Sequence, residues 1–341
     1  MNEQAVAESR VAEYLRNAGL IESAKVQLQA IAGGQSNPTY LLTAGSFKSV
    51  LRTKPPGALL PSAHAIDREF RVMKALEGSG VPVPKMFLYC DDTAVFGRHF
   101  YLMEFVQGRT FVEQSLPGLE ADQRRAIYGE MSRVISQLHS VDYKAVGLET
   151  YGKPGSYFSR QIARWSRQCQ ESSLPVSDAM QQLMGWLPAH IPSDDETTLV
   201  HGDYRLDNLI FHPTEPRILA VLDWELSTLG HPMADFAYHC MSWRIPASLW
   251  RGVDGLDLRT LGIPMEHDYV NAYEHRTGRE AGKHWEFYMA YNLFRMAAIL
   301  HGIGERAAQG NATASNASET AAVAVPLAQI GWECAKRYDA S

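Results

Sequence analysis

The chain lacks most of the features that fix a protein's class at a glance. Its four cysteines, Cys90, Cys169, Cys240 and Cys334, stand far apart and form no C-x-x-C pair. That excludes a zinc ribbon and a disulfide framework and predicts reduced thiols. No block of Lys or Arg occurs, and 38 acidic residues outnumber 32 basic ones for a formal charge of −6. Neither nucleic acid nor a membrane is therefore an expected partner. No apolar run approaches the roughly 20 residues of a membrane span. The polar, acidic start Met1-Asn2-Glu3-Gln4 is unlike a signal peptide, and a cytoplasmic protein is expected. G-x-G-x-x-G and the lysine-bearing Walker pattern are both missing, and there are no internal repeats. What remains is 341 residues, 45% hydrophobic and 21% charged, enough for one large domain or two.

One stretch stands out in what is present. Leu199-Val200 and Leu209-Ile210-Phe211 flank the polar loop His201-Gly202-Asp203-Tyr204-Arg205-Leu206-Asp207-Asn208. A second apolar run, Ile218 to Leu222, delivers Asp223-Trp224-Glu225. The runs read as a hairpin of short buried strands with carboxylates and an amide at one end. Phosphoryl transfer needs this set: a base for the acceptor hydroxyl and oxygen ligands for Mg2+.

Around it the chain changes character. Helical spacing over Ala5–Ala18 precedes three strand-like runs, Lys25–Ile31, Thr39–Thr43 and Phe47–Thr53, with Gly33-Gly34-Gln35-Ser36-Asn37 between the first two. A helix is expected from Ala63 to Glu77, capped by Ser62, and a buried strand from Arg98 to Val106, with Gly108 as a hinge. Beyond it the pattern is mostly helical: Asp122–His139, Gly155–Cys169, Asp178–Leu187, Pro232–Trp243, Met265–Arg276, Lys283–Ile303 and Ser318–Tyr338, with a mobile loop expected over Gly304–Ser318. The expected architecture is α+β: a small antiparallel-sheet lobe over 1–106, a larger mainly helical lobe over 107–341, and the polar hairpin at their junction.

His201-Gly202-Asp203-x-x-x-x-Asn208 followed by Asp223-Trp224-Glu225 resembles the aminoglycoside phosphotransferase family, small-molecule kinases with a protein-kinase-like two-lobe fold. Asp67-Arg68-Glu69, Tyr101-Leu102-Met103-Glu104-Phe105 and Leu138-His139-Ser140-Val141-Asp142 follow in the family's order. Gly34 to Tyr40 and Leu59 to His64 are similar, more narrowly, to the kinase-type module fused to acyl-CoA dehydrogenases in some eukaryotic proteins. The resemblance implies ATP and Mg2+ as cofactors, and the 1–106 lobe as the one that binds nucleotide.

Each candidate residue also has a plainer reading. Asp203 is the expected catalytic base rather than a turn aspartate, because His201, Asn208 and Asp223 accompany it. Asn208 and Asp223 supply hard oxygens for Mg2+, and Glu225 is either a further contact or a surface carboxylate. The resemblance gives His201 a supporting role and makes Asp235 an anchor between its helix and the catalytic loop. His231, Asp235 and His239 fall at i, i+4 and i+8, a possible transition-metal face, but Pro232 puts the helix start beside His231. Ser36 and Asn37, with backbone N–H groups near Gly33 and Gly34, are candidates to cover the phosphates. Val50-x-Arg52 stands where protein kinases carry Ala-x-Lys, so Arg52 or Lys54 would replace that lysine, with Glu69 as counter-ion. By analogy, adenine would meet the backbone of Glu104 and Val106, with Met103 behind it.

The acceptor is harder to read. The helical part after Trp243 shows no acidic block of the kind a polycationic aminoglycoside wants. Tyr288, Tyr291 and Arg295 share a helix face, either as core or as a seat for a carboxylate or phosphate. A small hydroxylated metabolite is expected, with a hydroxyacyl-CoA or other hydroxy acid favoured. A true aminoglycoside 3'-type phosphotransferase and a nucleotide-binding pseudokinase are the alternatives. The sequence does not speak to oligomeric state.

Overall fold

A computed structural model describes residues 3–22, 25–31, 37–55, 65–309 and 317–340. The strands are β1 Gln27–Ala30, β2 Thr39–Ala44, β3 Phe47–Thr53, β4 Met86–Cys90, β5 Phe100–Glu104, β6 Thr198–Val200, β7 Leu209–Phe211, β8 Ile218–Val221 and β9 Thr228–Gly230. The helices are α1 Glu3–Asn17, α2 Ile66–Leu76, α3 Thr93–Phe96, α4 Ala121–His139, α5 Tyr157–Gln170, α6 Asp178–Trp186, α7 Pro232–Cys240, α8 Leu258–Leu261, α9 Glu266–Thr277, α10 Trp285–Ala308, α11 Ala317–Ala322 and α12 Ala324–Ala340. No helix among the described residues is long and apolar enough to cross a membrane.

These elements form two units. The first comprises 1–109, 146–148 and 209–227, and the second 110–145, 149–208 and 228–341. The first unit holds an antiparallel sheet in the order β1-β2-β3-β5-β4. Period-2 alternation gives the sheet two chemically different faces. Leu42, Leu51, Phe100 and Leu102 point to one side and pack with Val11 and Leu15 of α1. Val50, Arg52, Tyr101 and Met103 alternate with them and line a cavity on the other. Register fixes the neighbours: Arg52 lies opposite Tyr101 and Val50 opposite Met103. The architecture is mixed α+β with a five-stranded antiparallel sheet and a helical C-terminal region, as the sequence pattern implies.

Several elements differ from the sequence reading for identifiable reasons. Leu199-Val200 is not part of the hairpin with the later runs. β7 pairs with β8, while β6 pairs with β9, a three-residue strand too short to show a period. β4 and α3, hidden between prolines and a pair of aspartates, carried no readable pattern. α10 runs on to Ala308 through Glu305, Arg306 and Ala307, good helix formers, so the expected loop begins later. The last helical run is two helices, because Pro326 in the first turn of α12 cannot continue α11. Ser62 and Ala63, the expected start of α2, lie outside the described residues.

Gly108, the expected hinge, is packed tightly inside the first unit. Arg109 and Phe211 exchange N–H···O bonds of 2.8 Å in both directions. A Cβ added at Gly108 would sit 2.2 Å from the Phe211 carbonyl oxygen, which is backbone and cannot swing away. In α4, by contrast, nothing lies within 4 Å of a Cβ added at Gly129. Gly108→Ala is expected to lower unfolding free energy by about 1–3 kcal/mol, and Gly129→Ala to raise it by about 0.4–1 kcal/mol. Urea denaturation of the two variants beside wild type checks both signs.

Candidate active site

The polar loop lies in the second unit, and one buried carboxylate shapes it. Asp235 sits in the first turn of α7, which Pro232 and the His231 cap begin. Its oxygens accept the backbone N–H groups of His201 at 2.7 Å and Gly202 at 2.8 Å. His139 Nε2 lies 3.2 Å from the same carboxylate, and the Tyr273 hydroxyl is 2.7 Å from His139 Nδ1. Burial would push the Asp235 carboxyl up, but His139 and the amide donors outweigh it and hold it below its ordinary value. Burial lowers His139 in turn, keeping it neutral. Gly202 adopts φ 82°, and its carbonyl accepts from Arg295 Nη2 at 2.8 Å.

This fastening presents Asp203 at the turn. One carboxylate oxygen accepts the Tyr238 hydroxyl in a short hydrogen bond. The other accepts Arg205 Nε at 2.9 Å and Asn208 Nδ2 at 3.0 Å. Burial raises the Tyr238 phenol far above its ordinary range, so it stays a donor. Asn208 also donates to the Asp203 carbonyl at 2.9 Å, which turns its amide nitrogen inward and leaves Oδ1 as the oxygen for a hard cation. Asp207 accepts Arg251 Nη1 at 2.8 Å.

The first unit carries a second cluster. Glu69 on α2 is buried and accepts from Asn37 Nδ2 and the Tyr101 hydroxyl, both at 2.8 Å. Arg52 Nε lies 3.0 Å from Glu69, and Arg52 Nη2 donates to Asp223 at 2.9 Å. Asp223 has φ 65°, a left-handed conformation uncommon outside glycine and a sign of local strain at a site. Trp224 beside it is fully buried and donates Nε1 to the Val221 carbonyl at 2.9 Å. Burial alone would lower the Arg52 pKa, yet Tyr101, Glu69 and Asp223 hold it above its ordinary value. Next to Arg52 a mainly apolar cavity of about 200 Å³ is lined by Val50, Met73, Met103, Val106, Leu222 and others, with Glu104 at its edge. Lys54 is not among its lining residues. The Glu104 N–H donates to the Lys85 carbonyl at 2.8 Å.

The residues singled out in the sequence thus fall into two groups. Asp203 and Asn208 meet in the second unit, and Asn37, Arg52, Glu69 and Asp223 meet in the first. Ser36, Gly33 and Gly34 lie outside the described residues. Asn37 spends its amide on Glu69. Arg295 is buried under the Tyr238 ring at 5.1 Å and serves the loop carbonyl, so its role is scaffold. The three histidine-face residues part company. His231 caps α7, Asp235 holds the loop, and His239 Nε2 pairs with the Tyr269 hydroxyl at 2.7 Å. No group of three or more His, Cys, Asp or Glu that could hold a metal occurs among the described residues.

A family model described as "Phosphotransferase enzyme family" matches residues 27–285. The chain belongs to the phosphotransferase enzyme family. It is 51% identical to a candidate aminoglycoside phosphotransferase from Ralstonia eutropha of known structure, with a TM-score of 0.89 over 96% of this chain and 98% of that one. It is 44% identical over 336 residues to mouse acyl-CoA dehydrogenase family member 10, covering 98% of this chain and 31% of that protein. The chain spans less than half the length of the curated relatives it matches. The fold alone is shared with a thermostable mutant of aminoglycoside phosphotransferase APH(4)-Ia, solved with AMP-PNP and hygromycin B, at 16% identity and a TM-score of 0.61 over 95% of this chain and 99% of that one.

Sequence reasoning missed Tyr238, Arg205 and Arg251 in this family site. Tyr238 had a signal: it follows Asp235 by one helical turn, so both side chains leave α7 on the same side. Arg205 sits between two aspartates and was overlooked beside them.

Glu69 yields a pH prediction. Burial pushes its carboxyl from the ordinary 4.5 up to about 7, against the pull of Arg52 and Tyr101. The folded chain therefore keeps this proton where the unfolded chain has lost it. Stability falls as pH rises from about 4.5 to about 7 and is level above that window. Glu69→Gln should remove this slope, on the order of 3 kcal/mol between the two ends. Denaturation midpoints of wild type and variant from pH 5 to 8 check it, and parallel profiles would show Glu69 ionised throughout.

Proposed function

We propose that the chain is an ATP-dependent kinase acting on a hydroxyl of a small metabolite, with a hydroxyacyl-CoA or another hydroxy acid as the favoured acceptor. The observation that carries this reading is Asp203, held in one orientation by Tyr238, Asn208 and Arg205 on a loop fastened by Asp235. A carboxylate so fixed accepts a hydrogen bond from an alcohol and orients its oxygen for attack, while the anchored loop stops it turning away.

The sheet unit takes the nucleotide in this reading. The apolar cavity beside Met103 suits a flat purine, with backbone groups of Glu104 and Val106 at its rim. Arg52 keeps Glu69 through Nε and has further N–H groups for phosphate oxygens, in the place of the usual lysine. Asn208 and Asp223 are the proposed Mg2+ ligands, a neutral and an anionic oxygen. The strained Asp223 backbone and the donor chemistry of both residues fit that duty. Bound Mg2+-ATP supplies the phosphoryl group and neutralises its charge. Ser36 and Asn37 are proposed to stand near the phosphates, Asn37 by holding Glu69 in place.

The helical unit takes the acceptor. Arg205 within the loop and Arg251 beside it already pair with Asp203 and Asp207, which leaves the loop's carboxylates a poor seat for a polycationic drug. The acyl-CoA dehydrogenase relatives support a thioester acceptor. All four cysteines are free and buried, in keeping with a cytoplasmic enzyme. Asp203→Asn should cut Mg2+-dependent ADP release on a metabolite panel by at least about 100-fold, while nucleotide affinity stays within a few-fold. Faster transfer to kanamycin-type amines than to hydroxyacyl thioesters would overturn the acceptor class. Wild type without Asp203-dependent turnover would leave a nucleotide-binding pseudokinase.

A further inference from the structure

A basic cavity in the helical unit is unused by the reaction as described. It encloses about 500 Å³, and its walls include Glu113, Gln114, Arg124, Arg251 and Gly252. Two guanidinium groups thus face one carboxylate. Arg124 is positioned by carbonyl oxygens: Nε reaches Ser115 at 2.8 Å and Leu116 at 3.2 Å, and Nη1 reaches Leu261 at 3.3 Å. Such neutral acceptors fix the group without cancelling its charge.

Arg251 is held in an unusual way. Its φ is 47°, in the left-handed region that non-glycine residues seldom adopt. The turn around it is tight. A Cβ at Gly252 would sit 1.9 Å from the Ile245 carbonyl oxygen. Val253 N–H donates to Ser242 at 2.8 Å and Asp254 N–H to Ile245 at 3.1 Å. Strain kept by such packing is a reason to ask what the side chain does.

Arg251 is also connected to the proposed base. Its Nη1 donates to Asp207 Oδ1 at 2.8 Å. Asp207 Oδ2 lies 3.4 Å from Arg205 Nη1, and Arg205 Nε lies 2.9 Å from Asp203 Oδ2. Charges alternate plus, minus, plus, minus from the cavity wall to Asp203. Arg251, Asp207 and Arg205 are between 20% and 29% exposed, so water screens them only in part.

We propose that this cavity is an anion subsite of the acceptor pocket, in which Arg251 and Arg124 hold a phosphate or carboxylate group of the hydroxylated substrate. The inference rests on the kinase reading for the word acceptor. Arg251 selects anionic acceptors and acts on the base at one remove, as a positioning residue. An anion on Arg251 competes with Asp207 for its N–H groups. Asp207 then turns to Arg205, and the hold of Arg205 on Asp203 Oδ2 loosens as the hydroxyl arrives.

The test uses Arg251→Gly, which removes the guanidinium and tolerates a positive φ, so folding is preserved, and Arg251→Lys, which keeps the charge. Coenzyme A is the phosphate probe and 3-hydroxybutyrate the carboxylate probe, each titrated by calorimetry against wild type and both variants. At least one probe should bind wild type, weaken about tenfold or more in Arg251→Gly, and recover in part in Arg251→Lys. Which probe does so tells a phosphate source from a carboxylate. Kinetics on hydroxyacyl-CoA, 3-hydroxybutyrate and the uncharged 1,3-butanediol should show kcat/KM in Arg251→Gly falling about tenfold or more further for the anionic acceptor than for the diol, with the difference in KM. Binding of neither probe, or equal binding by wild type and Arg251→Gly, overturns the subsite. Arg251-dependent binding with no hydroxyl phosphorylated leaves the subsite standing and sinks the kinase reading. Transfer that falls equally on charged and uncharged acceptors does the reverse.

Discussion

The helical unit's chemistry hangs on the Asp235 carboxylate. A charge removed from water is costly unless every lone pair finds a donor. Asp235 finds two backbone N–H groups, from His201 and Gly202, and the ring of His139. Because those two N–H groups are consecutive, satisfying the carboxylate also fixes the peptide that precedes Asp203. Arg295 fixes the next carbonyl from the other side. The loop is thereby shaped by buried groups. Asp203, partly exposed at the turn, is presented by a backbone that other groups hold. A neutral His139 suits this design, since the donor it offers does not depend on protonation near neutral pH.

The sheet unit solves a different problem, how to keep a guanidinium in an apolar setting. Arg52 stands on a strand whose alternate residues, Val50 and Arg52, face the cavity. It is tolerated because Glu69 and Asp223 sit on either side of it. Glu69 in turn is shared with Asn37 and Tyr101. The result is a cluster in which the Arg52 charge is shared between two carboxylates and no single pair carries the whole of it.

Much of this was legible in the residues themselves. The 3.6 and 2.0 periods found the long helices and the strands β2, β3 and β5, because each buries one face. The spacing of Asp203, Asn208 and Asp223 pointed to a phosphoryl-transfer set, and Arg52 and Glu69 were visible as a pair. Some short elements were not legible. β9 has three residues and α3 four, too few for a period to register. The partners of Asp203 were hidden for another reason. Tyr238 and Arg205 reach it through tertiary folding of α7 and the loop, and a tyrosine in a helix looks like core until its hydroxyl is seen to land on a carboxylate. Arg251 was less visible still, because its orientation depends on how closely Gly252 approaches a carbonyl six residues from Arg251 in sequence.

That the buried cation on β3 is an arginine and not a lysine has a chemical side. A lysine amine that gives up its proton can be acylated or form an imine, and it is open to acetylation. A guanidinium raised above its already high pKa by Glu69 and Asp223 does neither. The site holds a cation that cannot be switched off by such modification. An amine-acylating reagent would find no lysine among the described residues that line this cavity.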